Sequence, residues 1–108
     1  MATILFLFAS SLSIAGNLEG KVTMIQIGHG YTSENVYALV KFDQEPTGQP
    51  ACASDGRMAI NPATEPGKTM LSVLLAAKAT QSTVEVRGKN NCDVMGAGQE
   101  SISYIRDK

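Results

Sequence analysis

"PGKTMLSVLLAAKATQSTVEVRG", residues 66–88, holds a helix and a strand with almost nothing between them. Met70, Leu71, Leu74, Leu75 and Lys78 recur at helical spacing, and Val73 and Ala77 widen the apolar arc. An arc that wide predicts a helix packed against a core, with Leu74 and Leu75 turned inward. Thr64 is placed to cap it, and Glu65 and Pro66 suit a first turn, where a missing N–H costs nothing. Thr80-Gln81-Ser82 ends the helix, and 83–87 begins a strand with Val84 and Val86 inward.

Three strands are expected upstream. Residues 20–28 are rich in β-branched and apolar types and end at Gly28-His29-Gly30, a turn signal. Residues 35–43 alternate, with Val36, Ala38, Val40 and Phe42 on one face. A long loop, 45–56, contains two prolines and two glycines and closes on Ser54-Asp55-Gly56, which reads as a turn. Residues 57–61 form a short third strand with Met58 and Ile60 inward, stopped by Pro62. Downstream of the helix and its strand, a polar loop at 88–99 leads to a last strand, 100–106. There Ile102 and Tyr104 share one face and Ile105 takes the other.

The order is β-β-β-α-β-β. It matches the OB-fold, a small five-stranded Greek-key barrel that is mainly β with one helix between strands three and four. In that barrel strands three and five lie side by side and parallel. The only two cysteines, Cys52 and Cys92, each precede one of those strands. They are expected at the same end of the barrel as a disulfide, which is the usual state of paired thiols in a small exported domain. Zinc needs more ligands than one histidine and two distant cysteines, so no metal is expected.

The first 15 residues suggest export. Residues 4–15 are apolar or small, with no charged side chain before Glu19. The run is shorter than the roughly 20 residues a spanning helix needs. Ser13-Ile14-Ala15 puts small residues at −3 and −1 of a cut before Gly16. The expectation is a signal peptide at 1–15, a single domain at 16–108 with no membrane span in its mature form, and a secreted or periplasmic location.

Charge narrows the partners. The 108 residues carry 9 basic and 10 acidic side chains, a net charge of −1, and the basic ones are scattered. No positive field is available for a phosphate backbone, so nucleic acid is not an expected ligand, nor is an anionic membrane surface.

The helix at 70–79, the strand TVEVRG at 83–88 and Cys92 in the following loop carry a resemblance. The chain resembles the small exported OB-fold proteins of bacteria, including the B subunits of AB5 toxins of the pertussis and subtilase-cytotoxin type. The resemblance covers about a quarter of the chain. It implies glycan binding and assembly as a homo-oligomer, and it carries over no individual binding residue.

Catalytic chemistry is not expected. His29, the sole histidine, can be combined on paper with Ser33 and Glu34, but residues this close on one loop rarely form a preorganised triad. Asp43 and Glu45 lack the spaced carboxylates of a calcium loop and read as a solvated strand end. Met58, Met70 and Met95 read as core filler rather than as soft metal ligands. No cofactor motif is present. OB-folds bind through strands two and three and the loops after strands one and four, here 28–35 and 88–99. In the first of these, His29, Tyr31, Ser33 and Asn35 are the candidate ligand contacts, with His29 and Tyr31 able to stack on a sugar ring or peptide. The expected function is a bacterial binding module for a glycan or protein surface. The alternatives are a structural or assembly protein, or a secreted domain without ligand.

Overall fold

The computed structural model describes residues 15–30 and 36–108. The elements are β1 (Asn17–His29), β2 (Val36–Phe42), β3 (Ala53–Ile60), α1 (Glu65–Thr80), β4 (Thr83–Gly88) and β5 (Gly98–Asp107). The strands close into a barrel in the order β1-β2-β3-β5-β4. β3 and β5 are the parallel pair, and the other ladders are antiparallel. This is the mainly-β, one-helix, five-stranded OB-fold topology. The expected leader, apart from Ala15, lies outside the described residues. No helix among those described is long and apolar enough to cross a membrane.

β1 serves two partners in succession. Residues 17–21 pair with β4, and from Val22 onward the strand pairs with β2 as far as His29↔Val36. At the hand-over a bulge makes two residues of β1 face one of β2, since Val22 lies opposite Phe42 and Met24 opposite Lys41. The extra residue, Thr23, shifts the alternation by one. Val22 and Ile25 therefore both pack on the core, while Met24 is exposed.

A second bulge corrects the reading of the last strand. Gly88 faces Ile102 and Arg87 faces Tyr104, so Ser103 is the extra residue. Ile102 and Ile105 both turn to the core, and Tyr104 is 37% exposed. Strict alternation had placed Tyr104, not Ile105, beside Ile102.

β3 is longer than expected. It starts at Ala53, paired with Gly98, and does not rejoin β5 until Met58 pairs with Glu100. Five steps on one strand against two on the other make Ser54–Arg57 bow outward. Ser54-Asp55-Gly56, expected as a turn, belongs to this bowed strand, and the Asp55 side chain meets the local backbone instead, its Oδ1 accepting from Arg57 N at 2.8 Å.

The core is built from Val22, Val40, Phe42, Met58, Ile60, Val84, Val86 and Ile102, with Leu74 and Ala77 entering from the helix. Thr64 caps α1, its Oγ1 accepting from Gly67 N at 3.0 Å. Gln81 closes the other end in the left-handed region at φ 56°. The buried stripe runs through Gly67, Leu74 and Ala77, with Met70 and Leu71 half-buried. Leu75 is 48% exposed, contrary to expectation. It sits one residue, about 100°, around the helix from Leu74, and the barrel covers only the single stripe. Gly67 has no alternative residue type: a Cβ there would stand 1.8 Å from Asn61 O.

Candidate functional site

Loop 89–97 is held from several sides. Cys92 is bonded to Cys52, and their Cα atoms are 6.2 Å apart. Gly98 N donates to Cys52 O at 2.8 Å, which ties the start of β5 to the entry of β3. Ser101 then laces the loop onto β5. Its N donates to Asn91 O, its carbonyl accepts from Lys89 N, and its hydroxyl accepts from Val94 N and donates to Asp93 Oδ1. The Ser101 hydroxyl holds Asp93 below the usual carboxylate range, with Lys89 Nζ 3.7 Å away adding to the effect and partial burial opposing it.

Between this loop, the end of β3 and the first turns of α1 lies a cleft of about 710 Å³. Its polar wall includes Asn61, Thr64, Lys89 and Asp93, and Met70 and Val94 supply apolar surface. Past Pro66 and Met70 it continues into a shallower hollow of about 380 Å³, bounded by Val73, Tyr104 and Ile105. The Arg106 guanidinium lies 5.6 Å from the centre of the Tyr104 ring, in cation–π range. The arrangement offers amide, hydroxyl and charged groups beside aliphatic and aromatic surface.

Of the expected 28–35 turn, the described residues Gly28, His29 and Gly30 line neither hollow. His29 is exposed and closes the β1–β2 ladder opposite Val36. Tyr31, Ser33 and Asn35, with Glu34, lie outside the described residues. Asp43 and Glu45 belong to a solvated strand end with local partners. Asp43 Oδ1 accepts from Lys21 N at 2.8 Å, and Glu45 pairs with Lys41 at 3.3 Å. Met58 is core, and Met70, half-buried against that core, also lines the cleft.

Two polar clusters escaped the sequence reading. In the β3 bow, Asp55 Oδ2 accepts from Gln99 Nε2 at 2.8 Å and from Arg57 Nη2 at 3.1 Å, while Arg57 Nη1 reaches Gln26 on β1. Burial raises the Asp55 pKa, but the hydrogen bonds from Arg57 and Gln99 outweigh it and hold the carboxyl below its usual range. The second cluster centres on Glu100, which is fully buried. Its carboxylate accepts from Gly16 N at 3.0 and 3.2 Å, from Asn90 N at 2.9 Å and from Gln49 Nε2 at 3.3 Å. A Cβ on Gly88 would come within 2.1 Å of Glu100 Oε2, so this carboxylate needs glycine beside it. The alternation that placed Ile102 inward also places Glu100 inward, and that was the available signal.

A comparison with known protein families, with curated proteins and with solved structures gives no match. The class is therefore defined by strand order and the cleft: a disulfide-bonded OB-fold barrel with a groove between its helix and its β4–β5 loop.

Proposed function

We propose that this chain is a small exported bacterial binding module, secreted or periplasmic, that recognises a glycan or a protein surface. The carrying observation is the cleft of about 710 Å³ walled by loop 89–97, which sets Asn61, Lys89 and Asp93 around Met70. Sugars use such pairings of directional polar groups with an apolar patch, and so do polar peptide segments. The Cys52–Cys92 bond supports an oxidising compartment. The net charge of −1 argues against nucleic acid. The reading is of a binder and not of an enzyme, since the sequence carries no nucleophile-elbow motif. The 28–35 turn, with His29, is retained as a second contact.

The test is a glycan array probed with purified protein, repeated with Asn61→Ala, Lys89→Ala and His29→Ala. Loss of signal in the first two supports the cleft, and loss in the third alone moves the contact to the turn. Equal binding by all variants, or no binding to any glycan or protein probe, overturns the reading.

A specific observation favours assembly as a second reading. Val73 and Leu75 on α1, Tyr104 on β5, and Met24 and Ile27 on β1 are large apolar side chains left exposed. Surface of this kind commonly marks an interface. Light scattering of the wild type and of Leu75→Glu decides it: a monomer in both cases removes assembly.

A further inference from the structure

Glu100 is a fully buried carboxylate whose recorded hydrogen-bond donors, Gly16 N, Asn90 N and Gln49 Nε2, are all neutral. None of the ion pairs among the described residues includes it. Buried carboxylates are normally paired with a cation, because desolvating a lone charge is costly. Gly16 N is the one donor that lies near both carboxylate oxygens, at 3.2 and 3.0 Å. Gly16 is also the residue that follows the small-residue pattern Ser13-Ile14-Ala15.

We infer that processing cuts the chain between Ala15 and Gly16, and that the α-ammonium so released is the missing counter-ion of Glu100. The inference rests on the export reading above. Water adds across the Ala15–Gly16 peptide bond under a leader-removing peptidase. The leader departs as a carboxylate, and the Gly16 nitrogen gains protons to become an ammonium, the dominant form of an α-amine at neutral pH. An amide N–H in this position has one hydrogen for two oxygens. An ammonium has three, and satisfies both.

The new terminus is held in place after the cut. Gly88 N donates to Gly16 O at 2.8 Å, and Asn17 exchanges hydrogen bonds with Thr47 at 2.9 and 3.0 Å. The approach requires glycine at position 16, where a Cβ would stand 2.3 Å from Glu100 Oε1 and 2.8 Å from Gln49 Cγ. The ion pair ties together three places far apart in sequence: the start of β1, the Gln49 loop and the Asn90 loop. The uncut chain makes this contact only through a neutral amide, and the mature chain makes it with a charged group.

The test has two arms. The chain is expressed with its own leader in a Gram-negative host, and the extracytoplasmic fraction is weighed by intact mass spectrometry. A mass beginning at Gly16 is expected. An exported chain with any other start overturns the cut while leaving export intact, and a full-length chain retained in the cytoplasm overturns both. In the second arm, protein beginning at Gly16 is compared with protein retaining Ser13-Ile14-Ala15 and with Nα-acetylated protein beginning at Gly16. The free Gly16 form should unfold with an equilibrium constant at least about tenfold smaller than either blocked form, the gain expected when a neutral donor to a carboxylate becomes a charged one. That gap should vanish in Glu100→Gln. If Glu100→Gln does not fold, the acetylated form alone decides. Equal unfolding of the three wild-type forms overturns the ion pair.

Discussion

Cys52 and Cys92 are bonded at the mouth of the parallel β3–β5 pair, with 6.2 Å between their Cα atoms. The bond closes a loop spanning 40 residues of sequence that contains β3, α1 and β4. Replacing both cysteines by serine should lower stability by about 2–4 kcal/mol. Denaturant midpoints measure the loss, and thiol labelling of denatured, unreduced wild type should find no free cysteine.

The one-stripe burial of α1 predicts opposite behaviour at adjacent residues. Leu74 is fully buried and Leu75 half exposed. Leu74→Ala should cost about 2–5 kcal/mol, the usual result of emptying a packed leucine site. Leu75→Ala should stay within about 0.5 kcal/mol of wild type. Equal losses in thermal midpoint at the two positions would sink this assignment of the helix face.

Gly67→Ala should reverse the usual rule. In an exposed helix the change stabilises by about 1 kcal/mol. Here the new methyl would lie 1.8 Å from the Asn61 carbonyl oxygen, a backbone atom that can move only if the cap moves with it. The variant should be destabilised by more than about 1 kcal/mol, and circular dichroism during chemical unfolding measures it.

Acid should loosen the contacts of Asp55 and Asp93. Asp55 and Asp93 have depressed pKa values in the folded protein, so each contributes stability above its unfolded value, near 3.8, that is lost as pH falls through the folded value. Their side chains are 39% and 56% exposed, and solvent screening holds each contribution below about 1 kcal/mol. Stability should therefore fall below about pH 4. Asp55→Asn with Asp93→Asn should flatten that fall, as read from thermal midpoints at a series of pH values.

Much of the fold was legible in local pattern. The alternation in β2, the paired valines of β4 and the capped helix each gave the correct element, and their order, with the two cysteines, pointed to the parallel β3–β5 contact. The errors occur where one inserted residue changes the phase. Ser103 moves Ile105 inward and Tyr104 outward, and no residue type announces such a bulge. Leu75 failed for another reason: periodicity reports an apolar arc but not how much of it the barrel covers. The cleft was half legible. Loop 88–99 is expected as a binding loop and supplies one wall of the cleft, but Asn61 and Lys89 come to the same cleft only through the β3–β5 crossing, which sequence spacing does not reveal.

β5 follows the other four strands in sequence, and it stands between β3 and β4 in the closed barrel. Until residues 98–107 arrive, β1, β2 and β3 form one sheet and β4 hangs from the far edge of β1. Two strand edges then face an empty slot. A chain emerging from its N-terminus cannot seal itself early, and a nascent or truncated form lacking β5 presents those unpaired edges to any neighbour. Closure of the barrel is therefore a single late event, the docking of β5 into the slot between β3 and β4.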